Sequence, residues 1–323
     1  MTGEPRVSVI LPAFRAADDL PRAIARLEEQ HSTDVEILIV DDGSGDDTGR
    51  VATELAAAHH RVRAVLLPEN VGVARARQAG VEAARGEWLW FVDADDEWAD
   101  DALRVLVAMA SARDVDVVVA AATLVTAEGR RRALRPPVSP PVSGRDAFRM
   151  LLRGEVTGHL WNKLFRRTVM AQASFAPARV QSDLVMVADA LSHARSVAFT
   201  DVSVYEYRLR PGSLITSVSR RAESLAVIDE AMARAASRLG LRGSDDYRYF
   251  RARYVALSGI KDALRADYRT SEQKLLLSRN RRILRAGDLA LFVRRHDPRR
   301  ALLALTAKTS TRAHRVLLAI ADR

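Results

Sequence analysis

Apolar residues fall in short unbroken runs along the first hundred positions, and a stretch with helical spacing follows each run. VSVIL (7–11) is β-branched and apolar, and DDLPRAIARLEEQ (18–30) carries Leu20, Ile24 and Leu27 at helical intervals. VEILIV (35–40) precedes DDTGRVATELAAAHH, VRAVLL (62–67) precedes VGVARARQAGVEAARG, and EWLWFV (87–92) follows the stop at Gly86. Such alternation with short connections predicts right-handed crossovers and a parallel sheet covered by helices on both faces. The unbroken apolar strands agree, because parallel strands are buried on both sides. A helix near 99–112 and a long strand, VDVVVAAATLV, come next. RPPVSPPVSG (135–144) reads as loop or linker. Short mixed elements fill 145–220, and beyond 221 the pattern is almost wholly helical.

Composition narrows the class. The 323 residues are 48% hydrophobic, ample for a buried core and about two domains. Cysteine is absent, which excludes disulfides, thiolate catalysis and cysteine metal sites. The seven histidines show no metal-type pairing. No apolar run approaches the roughly 20 residues of a membrane span, and no leader pattern opens the chain, so a cytoplasmic protein, soluble or peripheral, is expected. The net charge of +9 is unevenly spread: residues 1–100 sum to −10, whereas 274–323 sum to +10. The two ends are therefore expected to do different work.

In an open parallel sheet, ligands bind beyond the carboxyl ends of the strands, and the polar motifs gather there. Pro12 and Phe14 follow the first strand, Asp41, Asp42 and Ser44 the second, Asn70 the third, and Asp93, Asp95 and Asp96 the fourth. Each group has a plainer reading, as turn residues, helix caps or, for Arg77, a solvated cation. Those readings do not explain why all of them share one edge. Carboxylates this close call for a hard divalent cation, Mg²⁺ or Mn²⁺, held together with substrate phosphates. The chain has neither GxxxxGK[ST] nor GxGxxG. Phosphates would thus be met by metal and arginine, which points to a nucleotide whose diphosphate leaves.

Over about residues 6–217 the ordered motifs resemble a family 2 glycosyltransferase of the GT-A fold. They run from VSVILPAF through VEILIVDDGSGDDT, LPENVGVARARQAG and EWLWFVDADDEW to WNKLFRRTVM and VYEYRLRPGSLITS. The resemblance implies an α/β, Rossmann-like, mostly parallel sheet between helices over 1–220, followed by an all-helical basic domain over 221–323. Residues 1–103 would hold the nucleotide-sugar and 104–220 the acceptor. It implies an inverting, metal-dependent hexosyltransferase that uses a nucleotide-sugar, with UDP favoured. Pro12 and Phe14 would line the base pocket, Asp41 would accept from uracil, Asn70 would border the pocket, and Arg77 would meet the diphosphate. Asp93 would face ribose or a metal-bound water, Asp95 would ligate the metal, and Asp96 would orient the loop. Asp183 takes the general-base position, with Ser182 where the family often has Glu; its plainer reading is a first-turn acid favoured by the helix dipole. Trp161 and Lys163 match an acceptor-floor W-x-K, though Trp161 serves equally as packing. Arg208, Arg210 and Ser213 would serve the diphosphate or close the site.

The implied acceptor is a saccharide, a polyol polymer or a lipid-linked sugar of bacterial surface polysaccharide or wall-polymer synthesis. For the basic C-terminus the readings are a solvated face, a peripheral membrane contact at the inner face, or a homo-oligomer. A nucleic-acid partner is not expected, because no base-stacking aromatics accompany the charge. Two rivals stand beside this reading: a sugar nucleotidyltransferase, which should carry a Gly-rich N-terminal loop, and a non-catalytic nucleotide-binding scaffold.

Overall fold

The structure, a computed structural model, describes residues 6–30, 34–138, 140–176, 178–209 and 220–321. It divides into two compact units, one built mainly from the first 211 residues and the other mainly from Gly212–Arg323.

The first unit is a sheet between helices. Its strands are β1 (Val7–Ala13), β2 (Val35–Asp41), β3 (Val62–Leu66), β4 (Trp88–Phe91), β5 (Glu97–Trp98), β6 (Val117–Val125), β7 (Arg131–Leu134), β8 (Val142–Ser143), β9 (Lys163–Arg166) and β10 (Ser196–Arg208). Their order is β3-β2-β1-β4-β9-β6-β10-β5, with β7 beside β6 and β8 beside β10. β3, β2, β1 and β4 are mutually parallel, as the apolar runs predict. The crossover helices between them are α1 (Leu20–Glu28), α2 (Thr48–Ala58) and α3 (Val73–Ala83). α1 buries Leu20, Ala23, Ile24 and Leu27, and Pro21 sits in its first turn, where a missing N–H costs nothing. Gly80 lets α3 lie directly on the sheet, since a Cβ there would sit 2.5 Å from an Ile10 methyl.

Beyond β4 the sheet becomes mixed. β9 lies antiparallel to both β4 and β6, while β6 and β10 run parallel. The expected loop at 135–144 holds β8, which pairs antiparallel with β10. Helices α4 (Ala102–Arg113), α5 (Gly144–Arg153), α6 (Arg167–Met170) and α7 (Ser182–His193) complete the unit. The core below the site is dominated by Trp88, Trp90, Trp98, Trp161 and Tyr205.

The second unit is helical, as expected: α8 (Ala222–Arg238), α9 (Asp245–Phe250), a π-helical turn (Arg251–Ala256), α10 (Leu257–Arg265), α11 (Thr270–Ile283), α12 (Gly287–Arg294), α13 (Pro298–Thr309) and α14 (Thr311–Ala321). Tyr249, Ile260, Leu291 and Phe292 anchor its own core. Among the described residues, no helix is long and apolar enough to cross a membrane.

Candidate active site

The ends of β1, β2 and β3 are stitched together by the residues that mark them in the sequence. The Asp42 carboxylate accepts from Asn70 Nδ2 at 3.1 Å and from the backbone N–H groups of Val71 and Gly72, both at 2.9 Å. Asp41 accepts from the Ser44 hydroxyl, and Ser44 Oγ in turn accepts from Arg15 N at 3.0 Å. Gly43 makes this junction possible: its φ is +60°, and a Cβ there would fall 2.3 Å from the Glu69 backbone. Asp41 and Asp42 are both buried, whereas Phe14 just past β1 is 46% exposed beneath the Arg15 guanidinium.

The acids after β4 have a different environment. Asp93 N–H donates to the Tyr205 hydroxyl at 3.1 Å, and that hydroxyl donates to Asp96 Oδ2 at 3.0 Å. Tyr205 therefore ties the acid loop to β10, and sequence reasoning missed it. Burial pushes Asp93 above the usual carboxylate range, Arg77 opposes this, and the charges of Asp183 and Asp95 add to the rise. Burial, then the charges of Asp93 and Asp95, push Asp96 up to about 8. Two acids here are thus short of positive charge. Among the described residues no group of three His, Cys, Asp or Glu side chains converges on a metal position. A cation at Asp93 and Asp95 would therefore complete its shell with donor oxygens and water.

Arg77 is the hinge of the arrangement. It is only 4% exposed, donating from one terminal nitrogen to Asp93 Oδ1 at 2.9 Å and from the other to Asp183 Oδ1 at 2.5 Å. Sequence reasoning gave Arg77 to the diphosphate, yet here both its terminal nitrogens are engaged by protein carboxylates. One guanidinium joins the acid loop, after β4, to the first turn of α7. Gln181 enters that turn in a left-handed conformation, φ 61° and ψ 31°.

An aromatic wall is built around Trp161. Trp161 stacks on His159 (4.6 Å between centroids), Tyr205 (4.8 Å) and Tyr207 (5.6 Å). Trp161 is itself buried, and the half-buried His159 and Tyr207 flank it. Burial holds His159 down to about 4, so its imidazole is neutral at physiological pH. Lys163 is fully buried, and its ammonium donates to His159 O at 2.6 Å, Asn162 Oδ1 at 2.8 Å and Thr157 Oγ1 at 3.3 Å. Burial brings Lys163 down to about 7, with the Asp183 charge opposing. All three donors are used internally, so the lysine fastens the loop that carries the aromatic wall. Arg208 is a surface residue paired with Glu97 and Glu206, each at 2.9 Å. Arg210 and Ser213 lie outside the described residues.

The family model described as Glycosyl transferase family 2 matches residues 8–173, just over half of the chain. The chain belongs to glycosyltransferase family 2. Among curated relatives, this glycosyltransferase is 29% identical to a cholesterol galactosyltransferase of Borreliella burgdorferi over 66% of its own length and 63% of the relative's. It is 30% identical to the succinoglycan biosynthesis protein ExoO of Rhizobium meliloti over 76% of its length and 73% of the relative's. The first of these matches thus spans less than two thirds of the relative's chain. Among solved structures, it superposes on S. aureus TarS 1–349 in complex with UDP-GlcNAc with a TM-score of 0.67 at 18% identity, covering 95% of this chain and 92% of that one. A mannosyltransferase of Pyrobaculum calidifontis, in complex with GDP-Man and Mn²⁺, gives 0.51 at 18% identity, covering 99% and 80%. At these identities the likeness establishes the GT-A fold. The matched family segment ends at residue 173, before Asp183, so the structure alone brings Asp183 to the acids of the enzyme.

Proposed function

We propose that this glycosyltransferase is inverting and metal-dependent, and that it moves a hexose from a UDP-sugar to a hydroxyl of a saccharide, polyol-polymer or lipid-linked acceptor in surface polysaccharide or wall-polymer synthesis. The supporting observation is the Arg77 bridge: Asp93, on the donor side, and Asp183, on the acceptor side, meet on one guanidinium. In this reading Phe14 and Asp41 border the base and Asp93 meets the ribose. The neutral His159 and Tyr207, backed by Trp161, face the acceptor ring. Asp183 takes the proton of the acceptor hydroxyl while that oxygen attacks the anomeric carbon. The bond from that carbon to the diphosphate oxygen breaks, the nucleoside diphosphate keeps the electron pair, and the centre inverts. Arg77 holds the Asp183 carboxylate in place for that transfer.

Asp93 and Asp95 fit a hard divalent cation, because burial and mutual repulsion leave the acid loop short of positive charge. Such an ion, Mn²⁺ or Mg²⁺, supplies Lewis-acid neutralisation of the departing diphosphate. A TarS structure containing UDP-GlcNAc and a mannosyltransferase structure containing Mn²⁺ are consistent with this choice of donor and ion. The proposal includes a peripheral membrane contact by the basic C-terminal helices.

The test is a panel of UDP-, GDP- and dTDP-sugars, scored for binding and hydrolysis with Mn²⁺, Mg²⁺ or chelator. A UDP preference and loss of turnover with chelator are expected. Preference for GDP- or dTDP-sugars overturns the donor assignment, and full turnover in chelator overturns the metal.

A further inference from the structure

The second unit exposes its large apolar side chains in one part of its sequence. Leu275, Val293, Leu302, Leu305, Val316 and Ile320 all lie on α11–α14, whereas the described residues of α8–α10 expose none. The same stretch carries the charge excess, a net +10 over residues 274–323. On two of these helices several cations also lack acid partners, although Arg294, Arg295 and Arg300 of α12, α13 and the turn between them are paired. On α8, α9 and the π-helical turn, Arg234, Arg248 and Arg251 are matched by Glu230, Asp245 and Asp229. On α11 and α14, Lys274, Arg279, Arg282, Arg312 and Arg315 make no ion pair among the described residues.

α14 shows the pattern most clearly. His314 and Leu318 are buried on its inner side. Arg312, Arg315, Val316, Ala319 and Ile320 are exposed at the three- and four-residue spacing of a single helical face, with Val316 and Ile320 62% and 64% open. Beside the start of this helix is an open pocket of about 360 Å³ on α11, lined by Lys274, Leu277, Ser278, Arg281 and Arg282 and by no acid. Arg281 joins the two features by donating to Ala307 O at 2.8 Å and to Thr311 Oγ1 at 2.7 Å.

We propose that α11–α14 form a docking surface for an anionic phospholipid bilayer, with lipid phosphates met by the α11 pocket and by the unpaired arginines, and Val316 and Ile320 entering the head-group boundary. Unpaired cations beside exposed aliphatic groups are what an anionic interface accepts: the charges meet phosphate and the apolar tips leave water. The exposed side chains are aliphatic, so they offer no platform for stacking bases. A two-fold contact between copies would set the unpaired arginines against their own kind. This inference rests on the membrane contact proposed above and is independent of donor, metal and base.

The test is co-sedimentation of the full chain, without donor, on phosphatidylcholine vesicles and on the same vesicles containing phosphatidylglycerol. The wild type is expected to sediment only with the anionic vesicles and to be released by salt. Val316→Glu/Ile320→Glu and Lys274→Glu/Arg282→Glu are expected to weaken binding by about tenfold or more, with melting temperature and UDP-sugar binding unchanged. Equal binding to both vesicle types, or variants that bind like wild type, overturns the proposal. So does a dimer in light scattering that Val316→Glu/Ile320→Glu dissociates while vesicles remain unbound. Binding to soluble polyphosphate that ignores the substitutions at 316 and 320 also replaces the lipid reading with a polyanion reading.

Discussion

Two acidic clusters stand at the carboxyl ends of parallel strands on either side of β1, and they are built in opposite ways. After β2, the Asp42 charge is absorbed by one side-chain amide and two backbone N–H groups, and Asp41 has the Ser44 hydroxyl. After β4, Asp93 and Asp96 repel each other and Asp95, and burial raises both. Arg77 relieves only part of that load. The first cluster is hydrogen-bonded by its own chain and ties the ends of β1, β2 and β3 together. The second keeps two acids above the usual carboxylate range, a load that the proposed cation would relieve.

The comparison can be broken by substitution. Asp183→Asn should cost the most, about 10³-fold in transfer with donor binding retained, because general-base removal typically costs 10²–10⁴-fold. Product assay beside calorimetric titration of UDP checks it, and unchanged transfer would sink the base assignment. Arg77→Lys should come next, about 10²-fold in kcat with the donor KM little changed, since one point charge cannot hold two carboxylates in register. A rise in donor KM alone would return Arg77 to the diphosphate.

Asp42→Asn and Asp95→Asn sharpen the contrast directly. Asp42→Asn should cost about 1.5–3 kcal/mol of stability, the worth of hydrogen bonds to a charged acceptor, and leave kcat intact. Asp95→Asn should leave the melting temperature unchanged or raise it, while turnover loses its response to Mn²⁺. Melting curves with matched kinetics test the pair, and identical effects from both would erase the distinction.

The smallest effect is expected at the opposite end of β2. Glu36 is buried, and Ser8, the Arg85 N–H and Arg63 outweigh burial to hold it below the usual glutamate value of 4.5. The unfolded chain binds this proton first as pH falls, so the stabilisation is complete above about 4.5 and is lost as pH falls through the lower folded value. The gap in melting temperature between wild type and Glu36→Gln should therefore be full at neutral pH and close in acid.

The parallel half was legible because β1, β2 and β4 are buried apolar runs with helical spacing between them. The antiparallel additions were not. β7 is RRAL, three of its four residues exposed, and β8 is two residues inside a proline-rich segment. Their strand character comes from neighbours distant in sequence. At the site, strand-end acids could be named, but a sequence shows charge and not burial. Arg77 was named for a diphosphate, but its burial beside Ala74 and Val81 on the inner face of α3 went unread, and that 74–77–81 spacing was the signal available. Tyr205 and His159 carried no comparable mark, since each acts through partners brought from elsewhere in the chain.

The position of β9 bears on how the chain emerges from the ribosome. β9 fills the gap between β4 and β6, yet it is made more than seventy residues after β4. Until Lys163–Arg166 arrives, a nascent chain already holding the acids after β2 and β4 presents the apolar edge of Trp88–Phe91 without its partner strand. Unpaired apolar edges recruit other strands. A product truncated before residue 163 is therefore expected to aggregate rather than persist as a half-enzyme. The arrival of β9 is thus the step that closes the edge of β4 against such pairing.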